Sequence, residues 1–243
     1  MQPAFSRPSH RAPQDLRPVT FLPDYLKHPD GSCLVKFGGT HVLCSAFLEE
    51  RTAPFLRGSG SGWITAEYAL LPASTRPRAD REAHRGKPSG RSQEIQRLIG
   101  RALRSVAHLQ KMGERQVRID CDVIEADGGT RVASICGAYV ALARCLRRAL
   151  AKGWVKTWPL QDAVTAVSCG VVMGQVLLDL DYAEDSLAEV DANFVFSGSG
   201  GLIEIQATGE KEPFSQEALL QMLSFAQKAT ATIKVLQEEA VQV

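Results

Sequence analysis

The chain has 243 residues, 44% hydrophobic and 23% charged, with a formal net charge of +1. That is room for one large globular domain or two small ones. The near-neutral balance excludes arguing for a nucleic-acid partner from net charge, so local charge must carry that question. No apolar run approaches about 18 residues, and the first residues are polar and proline-rich, so neither a spanning helix nor a secretory leader is expected. Cys33, Cys44, Cys121, Cys136, Cys145 and Cys169 form no C-x-x-C pair and mostly sit among apolar neighbours. They are expected to be buried, reduced thiols of a cytoplasmic protein rather than metal ligands.

Residues 1–14 (MQPAFSRPSHRAPQ) lack apolar periodicity and are expected to form a mobile tail, with a single ordered domain over 15–240. Residues 31–47 hold two strand-like runs around Gly38-Gly39-Thr40, the pattern of a hairpin. The glycine-serine run 58–62 reads as a connector, because no strand-to-helix context follows it. Residues 63–71 (WITAEYALL) read as another strand.

Residues 76–91 carry Arg76, Arg78, Arg81, Arg85, Lys87 and Arg91 against only Asp80 and Glu82. Scattered proline, glycine and serine predict a long loop, either simply solvated or a contact for a phosphate backbone. A helix is predicted over 92–110. Ile95, Leu98, Ile99, Ala102, Leu103 and Val106 share one face, and Ser92 is the N-cap, so that Arg91 stands at the helix start. Arg97, Arg101 and Arg104 lie on the other face.

Residues 116–124 (QVRIDCDVI) alternate in the two-residue period of a half-buried strand. Asp127-Gly128-Gly129-Thr130-Arg131 follows, then a long apolar helix that ends before Gly153 and Trp154. Glycines admit close backbone approach, and Thr130 can cap the helix. The first-turn N–H groups are unpaired and partly positive, and Arg131 offers a planar cationic fork. The combination is an anion site or a plain helix cap. It matches neither the dinucleotide fingerprint nor the nucleoside-triphosphate P-loop. Two helix starts, each with an arginine, would trap one phosphate if the fold joined them.

Residues 163–172 and 175–180 read as two strands. The run 179–191 then carries Asp179, Asp181, Glu184, Asp185, Glu189 and Asp191 with no Lys or Arg. Such crowding is either a solvated acidic turn or a set answered by a cation such as Mg²⁺, and a carboxyl of raised pKa there can serve as general acid. Residues 190–196 and 202–207 are two more strands, and Ser215 caps a final helix running to about residue 238.

Several of these runs together, LRPVTF, the run from PFLRG through GWITAEYALLP, GRSQEIQRLIGRALR, IDCDVIEADGGTRVASICGA, LLDLDYAEDSLAEVD and IEIQATGE, closely resemble the ribonuclease PH family across about residues 16–225. The resemblance implies a two-layer α/β (α+β) fold with a mixed sheet packed by helices. It implies assembly as a homohexamer, a trimer of dimers. It implies phosphorolysis of RNA 3′ ends, with precursor tRNA as substrate, inorganic phosphate as co-substrate, Mg²⁺ as cofactor and no membrane partner.

Residue by residue, the resemblance assigns phosphate binding to Arg91, Gly129, Thr130 and Arg131. It assigns Asp179 and Asp185 as the catalytic and metal-binding pair, and places Arg78 and Arg81 among the RNA-binding arginines. Ala73 stands where the family commonly has arginine after LLP, and Arg76 is the nearby substitute. The competing reading is a non-catalytic RNA-binding ring subunit of exosome type. Such subunits typically lose phosphate-site or acidic residues, which are present here.

Overall fold

The computed structural model describes residues 6–82 and 86–242; Arg85 of the basic loop lies outside them. Strands β1 (Val19–Pro23), β2 (Gly31–Phe37), β3 (Thr40–Glu49), β4 (Trp63–Leu70) and β5 (Gln116–Glu125) form one sheet in the order β1-β2-β3-β5-β4. Its pairs are antiparallel except β4 with β5. That parallel pair needs a crossover, supplied by helix α1 (Gly90–Ser105). Strands β6 (Val164–Val172), β7 (Gln175–Leu178), β8 (Val190–Ser197) and β9 (Leu202–Gly209) form an antiparallel sheet in the order β7-β6-β8-β9.

Helix α2 (Thr130–Ala151) joins the two sheets, packing on β2 and β3 and also on β6. Its sequence is apolar nearly all round, the pattern of a helix with no solvent face. On β5 the predicted alternation holds: Val117, Ile119, Cys121 and Val123 are buried while Arg118, Asp120 and Asp122 are partly open. Helix α4 (Gln216–Gln242) covers β6 and β1, and Ala218 N donates to the Ser215 hydroxyl at its start. The one-turn helix α3 (Tyr182–Asp185) follows β7. All six cysteines are free and buried. Burial pushes the Cys136 and Cys145 thiols up to about 12, so they are inert as nucleophiles.

Two expectations change. The helix predicted over 92–110 begins at Gly90, because Ser89 rather than Ser92 caps it: the Ser89 hydroxyl accepts from Ser92 N at 3.1 Å. It ends at Ser105, and a separate 3-10 turn spans Leu109–Met112. The described part of the expected tail is tied down. Arg7 is only 3% exposed, its guanidinium donates to both Glu184 carboxylate oxygens at 2.6 and 2.7 Å, and Leu178 N donates to Pro13 O. A buried ion pair, which apolar periodicity does not reveal, orders this segment.

Candidate active site

After β5 the chain turns through Gly128 and Gly129, whose φ angles of 73° and 67° lie in the left-handed region. A Cβ on Gly128 would sit 2.5 Å from Leu180 O, so only glycine lets this turn press against the β7–α3 connection. Gly129 is the cap of α2, which displaces Thr130 from the capping role expected of it. Thr130 is instead the first helical residue, and its Oγ1 lies 2.8 Å from the Tyr68 hydroxyl on β4. The first-turn N–H groups of α2 therefore open at a glycine turn, where an anion is stabilised by their partial positive charge.

The turn is held from two sides. Thr40, in the β2–β3 hairpin, donates its hydroxyl to Gly128 O at 2.6 Å and accepts from Asp127 N at 2.8 Å. Arg17 donates to the Asp127 carbonyl and to Gly128 O.

A cavity of about 350 Å³ opens over the turn, lined by Gly128, Gly129 and Thr130 together with Arg76, Arg91, Tyr182 and Asp185. Arg91 also lines a neighbouring cavity with Arg131, Asp191 and Gln206. The two helix starts, each with its arginine, thus meet at one place. Arg131 is steadied by Gln206 Oε1 at 3.1 Å and Glu94 Oε1 at 3.6 Å, while Arg91 is exposed in the first turn of α1.

Asp185, at the end of α3, completes the set. Burial raises its pKa above the ordinary carboxylate value and the charge of Asp191 raises it further, against the pull of Arg91 and Arg131. A solvent-accessible carboxyl with a raised pKa beside two arginines suits proton transfer next to an anion.

Asp179 lies deeper than Asp185. It is fully buried, and its carboxylate accepts from Arg17 N at 2.8 Å, Arg17 Nε at 3.1 Å and Arg17 Nη2 at 2.7 Å. It lines neither cavity. Both its oxygens are held by Arg17, which ties the strand end after β7 to the glycine turn. Asp191 on β8, the last carboxylate of the acidic run, raises the Asp185 pKa through its charge. The strand period puts Asp191 and Asn193 on one face, and their cross-strand partners on β9 are Thr208 and Gln206.

Among the described residues no group of three or more His, Cys, Asp or Glu could enclose a metal. Mg²⁺ needs no such cage, since it commonly takes one or two carboxylates plus phosphate oxygens. Asp191, which lines the cavity with Arg91 and Arg131, suits that donor set, while both Asp179 oxygens are held by Arg17. Arg76 lines the cavity. Arg78 and Arg81 are exposed on the loop leading away, Arg78 donating to Ala79 O.

The family pattern of the 3′ exoribonuclease family, domain 1, matches residues 15–147, and that of domain 2 of the same family matches residues 162–229. A ribonuclease PH of Methylobacterium radiotolerans is 57% identical over 97% of this chain and 99% of its own length. One from Methylocella silvestris is 56% identical over the same shares. Among solved structures, rice Rrp46 superposes with a TM-score of 0.80 at 22% identity, covering 98% of this chain and 100% of that one. A chain of the Archaeoglobus fulgidus exosome with RNA bound to the active site gives 0.82 at 20% identity, covering 95% and 92%. The expected α/β fold is the observed one, and the chain belongs to the ribonuclease PH family of phosphate-dependent 3′ exoribonucleases.

Proposed function

We propose that inorganic phosphate binds between Arg91, Arg131 and the Gly129–Thr130 start of α2, in line with the last phosphodiester of an RNA whose 3′ end enters the cavity. A phosphate oxygen forms a bond to the terminal phosphorus while the bond from that phosphorus to the penultimate 3′-oxygen breaks. Asp185 gives that oxygen its proton, so the shortened RNA leaves with a 3′-hydroxyl and the terminal residue leaves as a nucleoside diphosphate. The two arginines and the helix start stabilise the charge spread over the transferring phosphoryl group. No covalent enzyme intermediate is needed, because phosphate is the nucleophile. Asp191, together with phosphate oxygens, would hold Mg²⁺, which would supply charge neutralisation at the phosphoryl oxygens when bound.

The observation that carries this reading is the meeting of Arg91, Arg131, the glycine turn and the raised-pKa Asp185 around one site. Arg76, Arg78 and Arg81 guide the RNA backbone toward it, with the 3′ ends of precursor tRNA as substrate. The likeness of fold to exosome chains supports a ring, here a homohexamer built as a trimer of dimers. The free thiols and the lack, among the described residues, of any helix long and apolar enough to cross a membrane support a cytoplasmic enzyme.

The test is a tRNA with a short 3′ extension, incubated with the protein and Mg²⁺ with and without phosphate. Phosphate-dependent release of nucleoside diphosphates is expected. Phosphate-independent release of monophosphates would make the protein a hydrolase and remove the phosphate site from the mechanism.

A further inference from the structure

Arg91, the glycine turn and Asp185 account for only part of the 350 Å³ cavity. Its remaining lining includes the Tyr182 ring and the apolar side chains of Leu70, Pro77 and Ala126. Tyr182 is 60% exposed. Its backbone is nonetheless fixed. Tyr182 N donates to Asp127 Oδ1 at 3.1 Å, and Asp181 and Glu184 close a capping box around the turn. Glu184 is itself fully buried on Arg7. An aromatic side chain thus stands with an open face on a rigid base, beside an anion site.

We propose that Tyr182 is the stacking platform for the base of the 3′-terminal nucleotide, the one that leaves as a nucleoside diphosphate. This deepens the phosphorolytic reading and rests on it. The nucleoside diphosphate that leaves carries both features that the cavity answers: a β-phosphate, derived from inorganic phosphate, for Arg91 and the α2 start, and a flat base for an exposed ring. Among the described residues lining the cavity there is no Asn or Gln to read a base edge. Stacking is tolerant of base identity because every base has a π-face. The subsite therefore accepts any of the four bases, with purines held better than pyrimidines through their larger face.

Direct binding of ADP, UDP and inorganic phosphate to the full-length protein, measured by calorimetry for the parent, Tyr182→Ala and Tyr182→Phe, tests this. Tyr182→Ala is expected to weaken ADP about tenfold or more, to weaken UDP less, and to leave phosphate binding unchanged. Tyr182→Phe keeps the ring and is expected to bind all three like the parent. Equal ADP affinity in parent and Tyr182→Ala overturns the proposal. So does a parallel loss of ADP and phosphate in Tyr182→Ala, since that is disturbance of the glycine turn rather than loss of a base contact. Failure of the underlying reading looks different: the parent then binds neither phosphate nor ADP.

Discussion

Arg17 and Asp179, separated by 162 residues in sequence, form a buried bidentate pair that sits under the phosphate turn. Burial works against the Arg17 charge, but the hydrogen bonds and charge of Asp179 outweigh it and leave the guanidinium pKa raised. The same guanidinium reaches the carbonyls of Asp127 and Gly128. The pair therefore connects the acidic turn after β7 to the glycine turn before α2.

Truncating one partner leaves a buried charge without its counter-ion. Arg17→Ala and Asp179→Ala are each expected to lose about 3–5 kcal/mol of stability, read by chemical denaturation. The double replacement Arg17→Met with Asp179→Leu is expected to recover most of that loss, because apolar pairs commonly replace buried ion pairs without penalty. It does not restore the contacts to the glycine turn. Its phosphate KM should therefore stay high in a folded protein, separating the anchoring of the turn from general stability.

The Mg²⁺ requirement gives a second contrast. Asp185 and Asp191 are the carboxylates near the anion site, while both Asp179 oxygens are held by Arg17. Raising Mg²⁺ is expected to rescue activity partly in Asp191→Asn, shifting the half-saturating concentration upward, and not in Asp185→Asn, which loses the proton donor. Asp179→Asn should keep the parent's Mg²⁺ midpoint while losing stability. A shifted midpoint in Asp179→Asn alone would return that residue to the metal site.

Most of the fold was legible because its signals are local. The alternation on β5, the glycine turn and the all-round apolarity of α2 each lie within one element. The glycine turn and its helix start are legible in one stretch, since a strand, two glycines and a helix start are contiguous. The partners of the acidic run are not. Residues 179–191 offer carboxylates at 179, 181, 184, 185, 189 and 191 with no local mark of which are held by partners elsewhere in the chain. What sets Asp179 apart is Arg17, from the far end of the chain, which holds both its oxygens. Likewise, Arg7 looked like part of a tail because its partner Glu184 lies 177 residues away.

The pH profile should report Asp185. Its pKa is raised, first by burial and then by Asp191. As a general acid it acts when protonated, so its contribution is present at low pH and lost as pH rises through the folded pKa. Asp191→Asn removes the neighbouring negative charge and lowers that pKa, so the alkaline limb of kcat should move to lower pH. Arg91→Ala removes a positive charge and should move the limb the other way. Limbs that coincide in all three proteins would take Asp185 out of the proton-transfer role.

Phosphate binding itself should depend on Arg91, Arg131 and the Tyr68–Thr130 contact in graded fashion. Losing a charge-assisted hydrogen bond costs about 1.5–3 kcal/mol, so Arg91→Ala and Arg131→Ala should each raise phosphate KM about 10- to 100-fold. Tyr68→Phe removes only the neutral partner of the Thr130 hydroxyl, 2.8 Å away. It should raise phosphate KM a few-fold, as expected for a bond worth about 1 kcal/mol. RNA affinity measured without phosphate should be unchanged in Tyr68→Phe.

The basic loop makes the last prediction, which concerns salt rather than chemistry. Arg78 and Arg81 are exposed, and Arg76 lines the cavity. For single strands, each phosphate neutralised by a cation contributes about −0.7 to the slope of log affinity against log salt concentration. Arg78→Ala and Arg81→Ala should therefore each flatten that slope by about 0.7 for a single-stranded RNA, and the double variant by about twice as much. Their kcat with saturating RNA should equal the parent's, because neither side chain lines the cavity. Filter binding across a salt series measures the slopes directly. An unchanged slope in the double variant would mean that this loop is only solvated and that the RNA approaches the site from elsewhere.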